Sequence, residues 1–161
     1  MLITLIGNPT AIQTHVAKQA CKEHVKTYVD GSQAAEFGQK NEERAYSIVR
    51  LLNGQAYLAP QGSAMDCCLK GDLILEVGKT AYVWQVKSSI NGAETHFKKK
   101  ATFNGRRYPT PGVIVVEPNK PGKGTWRLDT LLKISRETGL PVSNAVVQAV
   151  NGFNKARGKT I

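Results

Sequence analysis

Acidic residues are scarce in this 161-residue chain, with 12 Asp and Glu against 22 Lys and Arg, a formal charge of +10. That balance makes a polyanion the natural partner, nucleic acid first and an anionic surface second. Cysteine is scarce too. Cys21, Cys67 and Cys68 cannot all pair within one molecule, and neighbours 67 and 68 form only a strained disulfide. No CxxC occurs, and His15, His24 and His96 stand apart from the thiols, which excludes a structural zinc site by spacing. Long apolar runs are absent, and none approaches the roughly 20 residues that span a bilayer. The opening Met1 to Ile6 has no basic flank or small-residue cleavage site, and Gly7-Asn8-Pro9 interrupts it. A reducing cytoplasm is the expected compartment, with no membrane partner. Gly7-Asn8-Pro9-Thr10 also lacks the Gly-Lys-Ser/Thr ending of a phosphate loop, which argues against nucleotide hydrolysis. What is present is a 41% hydrophobic content, enough to fill one core.

Along the chain, Ile12, Val16, Ala20 and Val25 recur at near-helical spacing and predict a helix over 11–30. A second helix is expected from Ser32 or Gln33 to Leu52, capped by Ser32, with Phe37, Ala45, Ile48, Val49 and Leu52 as its buried stripe and Asn53-Gly54 as its stop. The period then falls to two. Residues 55–58 form a short strand candidate, and a small-residue loop follows at 60–63. Two β-rich runs, 72–77 and 80–87, flank Gly78-Lys79, the signal of a type II′ hairpin. A basic helical segment over 95–101 and a buried strand over 112–117 come next. A linker at 118–124 leads to short helices near 129–138 and 143–155.

A two-residue turn at Gly78-Lys79 sets Val77 opposite Thr80 and, counting outward, Asp72 opposite Gln85. Alternation then puts Lys87 on the same face and turns Trp84 and Val86 to the other. A carboxylate, an amide oxygen and an ammonium converge on one surface, flanked by Leu73, Leu75, Val83 and Val86. Burying an unpartnered acid and amine there is costly. Mg²⁺ prefers hard oxygen ligands and would accept Asp72, the Gln85 side-chain oxygen and the Val86 carbonyl, with Lys87 adjoining its water. The bland alternative is an Asp–Lys ion pair on an exposed hairpin face.

These residues resemble the PD-(D/E)XK nuclease superfamily. Its pattern is a helix bearing a glutamate, a strand Asp, a hairpin, and a strand ending in an acid or Gln, any residue, and Lys. Gly71-Asp72 and Gln85-Val86-Lys87 match it here. The resemblance implies an α/β, restriction-endonuclease-like fold, a central mixed β-sheet flanked by helices, followed here by a C-terminal helical hairpin. The resemblance covers about residues 30–117, and the chain is read as a nuclease core over 1–118 followed by a linker and helical hairpin over 119–161. It also implies Mg²⁺ (or Mn²⁺) chemistry on phosphodiester bonds, with Asp72 and Gln85 as ligands and Lys87 as the catalytic lysine. Gly38, Glu42 and Ala45 are similar to the family's helix pattern, so Glu42 is preferred as its glutamate and Glu43 is the fallback. Gln85 replaces the commoner acid, and Gly71 stands where Pro is usual. The expected substrate is double-stranded or branched DNA, cut in the manner of a homing endonuclease or junction resolvase by a homodimer or homotetramer.

Lys98, Lys99, Lys100, Arg106 and Arg107 form the densest basic region, directly after the site strand, and are expected to contact phosphates. Asp66 reads as a loop cap. The tail from Leu131 to Val150 is similar to the helix pair of ribbon-helix-helix DNA-binding proteins, with Thr125 to Leu128 as their reading strand. The alternative function is therefore a non-catalytic DNA-binding regulator, and RNA cleavage is a third possibility.

Overall fold

A two-residue turn organises the sheet. The computed structural model describes residues 1–27, 33–121 and 126–156. Within it β4 (Leu73–Val77) and β5 (Thr80–Lys87) pair antiparallel with Val77 opposite Thr80, the register that the turn at Gly78-Lys79 predicts. Gly78 has φ +62°, the left-handed conformation that a type II′ turn needs at its first central residue. On the outer side of β4 lies β3 (Gln55–Leu58), also antiparallel.

The eight-residue β5 has different neighbours along its other edge. Its first half pairs antiparallel with β2 (Thr10–Gln13), and its last three residues pair parallel with β8 (Val113–Glu117). β1 (Leu2–Ile6) completes the edge antiparallel to β8, giving a mixed sheet in the order β1-β8-β5-β4-β3. Parallel pairing of β5 and β8 demands a crossover, and α4 (Ile90–Phe97) supplies it.

Helices cover both faces. Towards one, α2 (Gln33–Val49) presents Ala45, Ile48 and Val49 to Leu73, Leu75, Trp84, Val86, Ile114 and Val116. Leu131 and Ile134 of α5 (Trp126–Thr138), with Leu140, join that same cluster, and α6 (Asn144–Ala156) follows. On the other face, α1 (Thr14–Lys22) and α3 (Ala64–Cys67) bury Ala17, Ala20 and Met65 against Ile74, Ala81 and Val83. Strand alternation sorts Trp84 and Val86 from Val83 onto these two faces, as the sequence predicts.

Several elements depart from sequence expectation. The helix expected over 11–30 begins as strand β2, and α1 covers only Thr14–Lys22; the apolar spacing was shared by a strand and a short helix in succession. Phe37, expected in the buried stripe of α2, is exposed. β1 and α3 had not been anticipated. Of the helix expected over 95–101 only residues 95–97 are helical, because α4 starts earlier, at Ile90, and ends at Phe97. Beyond it β6 (Ala101–Phe103) and β7 (Arg106–Tyr108) form a separate two-stranded ribbon. Asn104 (φ +51°) and Gly105 (φ +74°) turn it, an Asn-Gly signal that sequence reading passed over. The reading strand proposed for the tail is absent, because Trp126 to Leu128 already belong to α5; Thr125 and the expected cap Ser32 lie outside the described residues.

Candidate functional site

The site gathers at the open end of the β4–β5 hairpin. The ladder runs as far as Leu73 opposite Trp84. There the Asp72 N–H also donates to the Trp84 carbonyl, at 2.9 Å, so two successive residues face one and the strand bulges. Asp72 therefore does not sit squarely opposite Gln85 as simple counting predicts. The bulge instead aims its carboxylate along β5, where Oδ2 accepts the Val86 N–H at 3.0 Å. This bond has room because, in the parallel ladder with β8, Gln85 and Lys87 turn their backbone groups towards β8 and Val86 turns away. The Val86 carbonyl consequently points to the Asp72 side.

Gly71, which precedes Asp72, leaves no room for a side chain. A Cβ there would stand 2.2 Å from Val83 Cγ1 and 3.0 Å from Met65 Sδ. Its N–H donates to the Met65 carbonyl at 2.9 Å, a bond proline could not make.

Glu42 comes from α2, one turn before the buried Ala45, and is half-buried, whereas Glu43 is exposed. It lies within hydrogen-bonding reach of Asp72. Burial first, then the negative charges of Asp72 and Asp66, holds Glu42 well above the usual carboxylate range. Asp72, only 8% exposed, is also raised, mainly by burial; the Val86 N–H and the Lys87 ammonium oppose that rise. Two carboxyls that meet this way share a proton in the absence of a cation.

Gln85 and Lys87 follow at alternate positions on β5. Gln85 Oε1 is buried and has no hydrogen-bond partner. An amide oxygen left unpaired costs about 1–3 kcal/mol, which makes it the feature most in need of a ligand. The Lys87 stem rests on the first turn of α4, where a Cβ at Gly92 would lie 3.7 Å from its Cβ and Cδ. Ser89 caps that turn by accepting the Gly92 N–H at 2.9 Å. His96, 1% exposed, bonds the Pro111 carbonyl through Nε2 at 2.8 Å. Burial lowers its pKa, the bond to Pro111 opposes that, and the nearby Lys87, Lys99 and Lys70 add to the lowering; the bond ties α4 to Pro111.

Sequence reasoning preferred a loop cap for Asp66 over a second acid near the metal, and the cap is there: Ser63 Oγ accepts the Asp66 N–H at 3.3 Å and Asp66 Oδ2 accepts the Gly62 N–H at 3.0 Å. Its charge nevertheless reaches both Glu42 and Asp72, which the spacing of residues 66 and 72 could not disclose. Asn41, 1% exposed and next to Glu42, was missed; its Oδ1 accepts from Arg44 Nη1 at 2.7 Å, and its Nδ2 has no partner.

The five basic residues lie on other elements than Glu42, Asp72, Gln85 and Lys87. Lys98, Lys99 and Lys100 follow α4, Arg106 and Arg107 lie on β7, and all five are exposed. Among the described residues no three His, Cys, Asp or Glu side chains form a metal cage by themselves, so any cation here must also draw on the amide and backbone oxygens. No helix among the described residues is long and apolar enough to cross a membrane. No family model, curated protein or solved structure matches the chain.

Proposed function

We propose that the protein is a divalent-metal-dependent DNA endonuclease with a restriction-endonuclease-like core. The carrying observation is the buried, unpartnered Gln85 Oε1 on the strand that binds Asp72, itself beside Glu42 and Lys87. The order of parts supports the same reading: a helix with Glu42, the Asp72 strand, a hairpin, the Gln85-Val86-Lys87 strand, a crossover helix and a parallel strand.

The residues present fit Mg²⁺ or Mn²⁺. Asp72, Gln85 Oε1 and the Val86 carbonyl would hold it, with Glu42 directly or through water, an all-oxygen set suited to a hard cation. Such an ion supplies charge neutralisation at the scissile phosphate and makes a nearby water more acidic. The protein's part is positional. Asp72 is fixed by the Val86 N–H and cannot swing towards solvent. Lys87, braced by α4, offers an ammonium that orients the attacking water and offsets charge building on phosphorus. Glu42 would serve as a proton acceptor in its ionised form, which a bound cation would favour. Lys98, Lys99, Lys100, Arg106 and Arg107 would bind phosphates of double-stranded or branched DNA, and a homodimer or homotetramer would bring two sites to two strands.

Incubation with supercoiled plasmid, a four-way junction and an RNA hairpin, each with Mg²⁺ or chelator, tests this function. Metal-dependent cutting of either DNA substrate is expected. Binding without cutting under every metal condition would refute it, and exclusive cutting of the RNA would reassign the substrate.

A further inference from the structure

The β6–β7 ribbon has no place in the chemistry, yet it is built with care. Between Glu94 and Glu117 the chain has no acid, so the five basic residues there have no local counter-charge, and the ion pairs among the described residues involve none of them. The ribbon is rigidly rooted. The Thr102 N–H donates to the Cys68 carbonyl at 3.0 Å, tying it to the segment between Asp66 and Asp72. Thr110 Oγ1 donates to the Lys99 carbonyl at 2.7 Å across its base, and Thr10 Oγ1 donates to the Pro109 carbonyl at 2.8 Å.

Its two faces differ. Ala101 and Phe103 are buried against the core, whereas Thr102 and Arg107, cross-strand partners, both face solvent. Arg106 is held differently, with its guanidinium 5.1 Å from the Tyr108 ring centre. Three residues per strand give a blade about 10 Å long, and a two-stranded ribbon fits the roughly 12 Å major groove of duplex DNA.

We propose that this ribbon is a major-groove reader, with Arg107 and Thr102 contacting base edges while Arg106 and the lysines at 98–100 hold phosphates. Arginine's planar fork matches the two acceptors of guanine, and a threonine offers a hydroxyl and a methyl. The inference rests on the protein acting on duplex DNA. It adds that the enzyme has sequence preference, and that the preference resides in a ribbon hydrogen-bonded to the chain leading into Asp72.

Selection from a randomised duplex pool by the full-length protein in Ca²⁺, without cutting, tests it. Wild type is expected to enrich a motif containing guanine. R107A should lose about 10- to 100-fold affinity for that motif, with little change on random duplex. R107K, which keeps the charge and the fold but not the fork, should lose the motif preference as well and keep the salt dependence. K98A/K99A/K100A should instead weaken all duplexes alike and flatten the salt slope by about 2–3. Uniform loss in R107A, preference retained in R107K, absence of any motif in wild type, or stronger binding to hairpin RNA than to duplex would each overturn the proposal. Motif selection by a protein that never cuts would remove the nuclease reading and leave the ribbon; cutting that ignores R107A would do the reverse.

Discussion

Replacing Asp72 with Asn separates the two consequences of placing a carboxylate where this one lies. The amide is nearly isosteric with the carboxylate, and its oxygen can still accept the Val86 N–H, so the bulge and the strand pairing should persist. What disappears is a buried charge facing Glu42 and Asp66. Two unit charges about 4 Å apart repel by about 4 kcal/mol at an effective dielectric near 20. Against that gain stand a weaker bond from Val86, about 1 kcal/mol, and the lost attraction to Lys87. A net stabilisation of about 2 kcal/mol is expected at pH 8.5 without metal, or about 4–8 °C in Tm for a chain of this size. The pH dependence has a definite sign. Glu42 and Asp72 are both raised in the folded state. Their favourable contribution is therefore complete below the unfolded carboxylate pKa of about 4 and is lost as pH rises through the raised values. Metal-free wild type should thus lose stability from acid towards pH 8.5, whereas D72N should lose less. At pH 4 the two should melt together. Millimolar Mg²⁺ should restore wild type at pH 8.5 and leave D72N almost unmoved, while plasmid cutting by D72N falls at least about 100-fold. Thermal melts with and without Mg²⁺, alongside a nicking assay, read all of this. A variant less stable than wild type at pH 8.5 in chelator, or equally shifted by Mg²⁺, would refute the reasoning.

Q85E should bind Mg²⁺ more tightly than wild type in calorimetric titration and melt lower in chelator at pH 8.5, because a third anion joins Glu42 and Asp72; weaker metal binding by folded Q85E would remove Gln85 as a ligand. K87A should reduce cutting by about 100-fold or more while duplex affinity in Ca²⁺ stays within about threefold, so a parallel loss of both would make Lys87 a binding residue only. G71P should destabilise the fold by about 3 kcal/mol or more in urea titration, since it deletes the bond to Met65 and places atoms where Val83 lies; an unchanged midpoint would show that this approach is not a real constraint.

The hairpin that carries the candidate residues was legible in the sequence because local rules govern it. A turn of two residues admits one register and alternation sorts the faces, so the strand positions of Gln85 and Lys87 follow with no knowledge of the rest, and that of Asp72 to within one residue. The one-residue bulge at Asp72 escaped because it answers a tertiary demand, the meeting of Gly71 with Val83 and Met65. Where a signal fitted two structures, the sequence could not choose. Ile12 and Val16 satisfied a helical period, although Ile12 belongs to a strand that β5 recruits from far back along the chain. The β6–β7 ribbon is carried by strands of three residues each, too short to show a period, and only the Asn104-Gly105 turn between them marks it.

That division has a mechanistic consequence. Apart from Glu42 on α2, the groups assigned to chemistry sit on or directly before central strands whose geometry is over-determined: β5 is paired along both edges, and Asp72 is pinned by backbone bonds on either side. The groups assigned to recognition sit on a ribbon joined to the body by a few hydrogen bonds and one buried aromatic, Phe103. A catalytic centre needs placement to a fraction of an ångström, whereas a reader must be free to differ without disturbing it. The bond from Thr102 to Cys68 is where the two requirements meet, because it is the link from the ribbon to the segment that delivers Asp72. Insertions at the Asn104-Gly105 tip should therefore alter which duplexes are bound while leaving metal affinity and thermal stability in place. Loss of Mg²⁺ binding in such a variant would mean that ribbon and centre form one unit after all.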